Sequence, residues 1–176
     1  MILAQAGLDF IVRPTGVEEV MEGDPAAVAG ENARRKALAI AAGADALVLG
    51  ADTLVAVEGA ILGKPADAAQ ARDYVGRLAG RAHHVVGGIA LARGGALVAE
   101  AVEITEVRFR ALSEADVAAY VGTGEWQGRA GGYAIQGRGA ALVRGITGDY
   151  LNVVGLPLAR LLDLLPGAPL QRVFGA

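Results

Sequence analysis

The strongest constraint in this 176-residue chain is a junction, where an alanine-rich helix leads almost directly into a short apolar run that ends on a carboxylate. Asp24 and Pro25 form a helix start, because an Asp side chain can cap the first free amides and proline suits the first helical position. The helix they open runs to Ala42 and stops at Gly43. The run Ala46-Leu47-Val48-Leu49 follows, closed by Gly50-Ala51-Asp52-Thr53. Short apolar runs bounded by turn signals suit strands buried on both faces. In open α/β sheets ligands bind beyond the carboxyl ends of such strands, so Asp52 is expected at the end of a buried strand, facing a crevice.

The length corresponds to one domain over residues 1–176, enough to bury roughly two thirds of the unfolded surface. The chain is 53% hydrophobic with only 5% aromatics, which points to a core of small side chains. No apolar run reaches the ~18 residues of a membrane span. A net charge of −3 gives no general attraction to a nucleic acid polymer or an anionic membrane, so a polyanion needs a local cluster of cations. Without cysteine there is no disulfide, thiolate–metal or thiol-nucleophile chemistry. With no secretory leader at Met1-Ile2-Leu3, a cytoplasmic setting is expected.

Along the chain, Leu3 to Ala6 reads as the tail of a helix capped at Gly7, and Phe10-Ile11-Val12 as a short strand. The acidic patch Glu18, Glu19, Glu22 and Asp24 reads as a solvated loop. Thr53 to Val57 continues extended into a turn at Glu58-Gly59, and Asp67 opens a helix that stops near Gly80. Val85 to Ala92, the turn Arg93-Gly94-Gly95 and Ala96 to Phe109 form a hairpin. His83 and His84 precede it and point to opposite faces, so they do not chelate one metal together. Ser113 and Asp116 form a capping box for a short helix. From Gly122 to Gly137 glycines alternate with Glu125, Trp126, Arg129, Tyr133 and Gln136, the composition of a binding loop. Leu142 to Ile146 reads as a strand, Gly148-Asp149-Tyr150 as a turn, and Pro157 as the start of a helix with an apolar stripe at Leu158, Leu161, Leu162 and Leu165. These elements predict an α/β domain with a mixed central sheet and flanking helices.

If Glu31, Lys36, Asp52 and Lys64 share one cleft, two carboxylates and two ammonium groups suit a phosphate chain carrying a divalent metal. A carboxylate there could also take a proton from water. Glu31 has a competing partner in Arg35, four residues on. It also lies about 140° around the helix from Lys36, so spacing alone does not place both at one site. With no nucleophile elbow, cysteine nucleophile or P-loop in the sequence, water attack on a phosphoanhydride is the economical chemistry.

Glu31-Asn32-Ala33 with Lys36-Ala37, Ala51-Asp52-Thr53, Leu62-Gly63-Lys64-Pro65, His83, Gly124-Glu125, Ala130-Gly131-Gly132-Tyr133, Ile135-Gln136-Gly137 and Val154-Gly155-Leu156-Pro157 together resemble the Maf family of nucleoside triphosphate pyrophosphatases. The resemblance covers roughly Leu3 to Leu165. It implies a Maf/ITPase-like fold that usually dimerises and hydrolyses a nucleoside triphosphate to the monophosphate and pyrophosphate, with Mg²⁺ or Mn²⁺. It makes Asp52 the proton acceptor and Glu31, Lys36 and Lys64 polar site residues, and with two carboxylates at a phosphate site Asp52 and Glu31 are the expected metal ligands. Thr53 and Gln136 become selectivity positions, Arg129 a phosphate contact, and the Ile135-Gln136-Gly137 form points to the dTTP/UTP branch. A Gln amide can meet both a donor and an acceptor on a pyrimidine edge.

The chain departs from that family in having no S-x-S-P-R-R loop ahead of Leu3, and it carries Arg129 and Gly87 where members often have Lys and Thr. It is therefore expected to be shortened at its N-terminus. The alternative to an active enzyme is a catalytically impaired protein that binds nucleotide or regulates cell division.

Overall fold

The computed structural model describes residues 2–167, Leu170 and Val173; the remainder of the expected 1–176 domain lies outside the described residues. The elements in order are α1 (Ile2–Gln5), α2 (Pro25–Ala41), β1 (Val48–Val57), β2 (Ala60–Leu62), α3 (Ala68–Leu78), β3 (Ala82–Arg93), β4 (Ala96–Phe109), α4 (Glu114–Gly122), β5 (Val143–Thr147), α5 (Tyr150–Val154) and α6 (Leu158–Leu164). The sheet order is β2-β1-β3-β4-β5. The expected α/β layering is present, and all four described pairings are antiparallel.

The local signals act as their chemistry predicts. Asp24 accepts from the amides of Ala26 and Ala27, Asp67 caps α3 through Gln70 N–H, and Ser113 and Asp116 bond reciprocally at α4. Glu58 and Gly59 both have positive φ, 51° and 79°, the conformation of a two-residue hairpin turn. Gly7 sits at φ 69° after α1.

Three sequence expectations are corrected. Phe10-Ile11-Val12 forms no strand, and Ile11 is 84% exposed; β-branched residues favour a ladder only where a neighbour strand supplies one. The strand holding Asp52 does not end there but runs to Val57. Asp149 is an N-cap rather than a turn residue, accepting from Leu151 N–H to open α5.

Side-chain parity divides β1. Gly50, Asp52 and Leu54 face α2, while Ala51, Thr53 and Val55 face the opposite side. On the first face Ala29, Ala33, Ala37 and Ala41, one every four residues, are fully buried; Ala33 and Ala37 meet Gly50, Ala29 meets Gly88, and Ala41 clusters with Ala90 and Ala92. A Cβ on Gly50 would lie 2.6 Å from the Ala37 amide nitrogen and closer still to the Ala33 carbonyl oxygen. Small residues on both surfaces thus bring the α2 backbone directly onto the sheet. The second face carries the larger core, with α3, α4 and the glycine-rich segment over Val55, Val85, Val107 and Phe109, and α6 over Ile89 and Leu91.

His83 lies in that larger core, as its opposite-face alternation with exposed His84 requires. Its Nε2 is 2.9 Å from the Tyr133 hydroxyl, its ring meets Phe109 edge-on, and its Nδ1 has no partner. Burial, helped by His84, lowers its pKa from 6.5 to about 4. The folded state therefore binds this proton less readily than the unfolded chain does, and stability falls as pH drops below 6.5 towards 4. The expected loss is at most about 3 kcal/mol. Urea midpoints at pH 7 and pH 4.5 check it: His83→Gln should show a smaller acid drop than the parent, and equal drops would contradict the assignment.

Candidate active site

Asp52 is 7% exposed and held at both oxygens. Oδ1 accepts from Lys36 Nζ at 2.6 Å and Oδ2 from Asn32 Nδ2 at 3.0 Å. Asn32 and Lys36 are four apart on α2 and so project to one side. Asn32 also accepts from Val20 N–H and donates to Val20 O, pinning the acidic loop beside the helix. This brings Glu19 to Lys36, Oε1 to Nζ at 2.7 Å, with Lys64 Nζ at 3.8 Å. Hydrogen bonding to Lys36 holds the Glu19 carboxyl below its usual range. Desolvation pulls the Lys36 ammonium down, yet the bonds to Asp52 and Glu19 outweigh it and raise its pKa. Lys36 is therefore a fixed cation between two carboxylates.

Asp52 and Thr53 point to opposite faces, yet both line one cleft of about 430 Å³. The cleft can reach both because β2 pairs only with Val55 to Val57, so that among the described residues no strand pairs with the outer edge of β1 beside Asp52. Its lining includes the charged Lys36, Asp52, Lys64, Glu125 and Arg129, together with Gln136, Gly137, Tyr133, Val85 and Val153 to Gly155. The Thr53 hydroxyl donates to Gly155 O at 3.4 Å. The glycine-rich segment is anchored by Gly131 N–H to Gly63 O, next to Lys64. Gly131 has φ 67°, and a Cβ there would press on Val55 at 2.8 Å, so only glycine lets the segment lie this close to β1.

Of the sequence-predicted residues, the fold brings Lys36, Asp52, Thr53, Lys64, Arg129 and Gln136 around this cleft. Glu31 is not among them. Its carboxylate bonds Arg34 at 3.0 Å and Arg35 at 2.8 Å, and it lines a separate shallow cleft with Glu100 and Val102. The carboxylate that shares Lys36 with Asp52 is Glu19, from the acidic patch whose composition predicts a solvated loop. No local pattern separates it from Glu18, Glu22 and Asp24, because its partner is seventeen residues away. Asn32, in the Glu31-Asn32-Ala33 motif, takes its role from the fold, where it joins Val20 to Asp52.

Asp52 and Glu19 offer hard oxygen donors, and among the described residues no group of three or more His, Cys, Asp or Glu could hold a metal ion. That donor set fits a small divalent cation that takes its other ligands from phosphate and water, as Mg²⁺ commonly does, and not an all-protein cage. No described helix is long and apolar enough to cross a membrane.

A dTTP/UTP pyrophosphatase of Symbiobacterium thermophilum is 49% identical over 168 residues, covering 93% of this chain and 86% of that protein. Proteins of the same name from Pelotomaculum thermopropionicum and Pyrococcus furiosus are 46% and 44% identical, each covering over nine tenths of this chain and 88% and 89% of their own lengths. The family profile described as Maf-like protein matches residues 1–168. That match contains both the α2–β1 junction and every residue of the cleft, and the chain belongs to the Maf-like protein family.

Proposed function

We propose that this chain hydrolyses a nucleoside triphosphate, dTTP or UTP, to the monophosphate and pyrophosphate. The observation that carries the reading is one cleft lined by Lys36, Lys64 and Arg129 as well as by Asp52 and Gln136, with Lys36 bonded directly to Asp52. The cations neutralise the triphosphate, and Gln136 and Thr53 meet the base. Relatives named dTTP/UTP pyrophosphatase support the choice of nucleotide.

In this reading water attacks the α-phosphorus, the bond to the bridging oxygen breaks, and pyrophosphate leaves. Asp52 takes the proton of the attacking water. Its two oxygens each accept one hydrogen bond, so each retains a lone pair for that proton, while Lys36 and Asn32 keep the carboxylate aimed. Asp52 and Glu19 would hold a divalent metal, Mg²⁺ or Mn²⁺, which supplies charge neutralisation on the phosphates and a more acidic water. Glu19 thereby takes the place expected for Glu31. The family resemblance adds a homodimer and a cytoplasmic setting to the proposal.

The test is pyrophosphate release from the full set of ribo- and deoxyribonucleoside triphosphates, with Mg²⁺, with Mn²⁺ and with chelator. Turnover is expected first for dTTP and UTP and is lost in chelator. Failure to release pyrophosphate from any nucleotide, or release of orthophosphate alone, overturns the reading.

A further inference from the structure

Gln136 lies in an exposed turn, yet both ends of that turn are tied to a single pair of side chains. At one end Ala134 N–H donates to the Tyr120 hydroxyl at 3.2 Å. At the other, Arg138 N–H and Gly139 N–H donate to the two oxygens of Glu125 at 2.9 and 2.8 Å. Tyr120 O–H in turn donates to Glu125 Oε2 at 3.2 Å, closing the clamp. The space is fully used: a Cβ on Gly137 would collide with the Glu125 carboxylate, and one on Gly139 with the Ala134 carbonyl.

Paired backbone amides of this kind form an anion site, and here the chain's own carboxylate fills it. We propose that Glu125 is a positioning residue for base recognition, holding Gln136 in register through the amides of Arg138 and Gly139. The inference rests on the reading of Gln136 as the residue that meets the base. Lys36 and Lys64 belong to α2 and to the segment after β2, outside the turn from Ala134 to Gly139 that the clamp holds, whereas Gln136 lies within it. Glutamine cannot replace the glutamate, because its NH₂ group would face an amide donor and leave it unpaired.

The experiment compares Glu125→Gln with the parent by three readouts. Hydrogen exchange at Arg138 and Gly139 should accelerate. dTMP affinity by calorimetry, and the kcat/KM preference for dTTP over dGTP, should each fall about tenfold, mainly through KM. The inhibition constant of inorganic pyrophosphate, which has no base, should stay within about twofold of the parent. Tyr120→Phe keeps the ring and should move the same readouts in the same direction by less, which decides the matter if Glu125→Gln does not fold. Unchanged dTMP affinity despite faster exchange overturns the proposal, as does pyrophosphate affinity falling in parallel with dTMP. If the parent releases no pyrophosphate, the proposed reaction fails, while the dTMP and pyrophosphate binding arms still decide the role of Glu125.

Discussion

Replacing Asp52 with Asn should lower kcat for pyrophosphate release from dTTP by about 10²- to 10⁴-fold, the usual worth of a positioned proton acceptor. The amide is nearly isosteric and can still accept from one neighbour, but it takes no proton at neutral pH. Lys36 keeps Glu19 at 2.7 Å, so its charge is not left unpaired and the fold should survive. The expected signature is an unchanged circular dichroism spectrum with a lost rate. A variant retaining more than about a tenth of the parent rate would remove Asp52 from the chemistry. Lys36→Met is the complementary case: it removes the cation between Glu19 and Asp52 and should weaken both triphosphate binding and the fixed orientation of Asp52.

The second large effect is structural in origin and catalytic in consequence. Gly50→Ala adds one methyl where the nearest atoms are the Ala33 carbonyl oxygen and the Ala37 amide nitrogen. These are backbone atoms of α2 and cannot rotate aside, so the helix must lift off the sheet. Overpacking usually costs about 1–3 kcal/mol, and a contact with rigid backbone should reach at least the upper end. A fall in the urea midpoint at constant slope reads that loss. The same displacement carries Asn32 and Lys36 away from Asp52, and a misplacement of about 1 Å can cost about 10² in rate. Gly43→Ala, with nothing within 4 Å of the new methyl, is the control and should stay within about 0.5 kcal/mol of the parent. If Gly50→Ala is as stable and as active as Gly43→Ala, the close helix–sheet contact does not position the site.

Some features of the fold are local in the chain. Asp24, Asp67 and Ser113 mark helix starts because a cap is satisfied within three residues of itself. The β3–β4 hairpin is legible because its turn glycines, Gly94 and Gly95, take positive φ. Phe10-Ile11-Val12 misleads for the converse reason: its composition favours a strand, but a strand exists only through a partner that composition does not name. Glu31 and Glu19 differ in the same way. Glu31 sits at helical spacing from Arg34 and Arg35, and those neighbours claim it. Glu19 has no such local partner, and its role follows from where Asn32 holds Val20.

The alanine face of α2, the carboxylate of β1, and the lysines and glutamine at their motif positions were determined by the sequence alone, because each depends on residue type and short spacing. Which carboxylate joins Asp52, that Asp52 lies within a strand and not at its end, and that one cleft serves two faces of the sheet were decided only by the tertiary structure. The physical reason is packing: glycine against alanine draws α2 onto β1, and the edge of β1 beside Asp52, unpaired among the described residues, lets residues far apart in the chain converge on the same space.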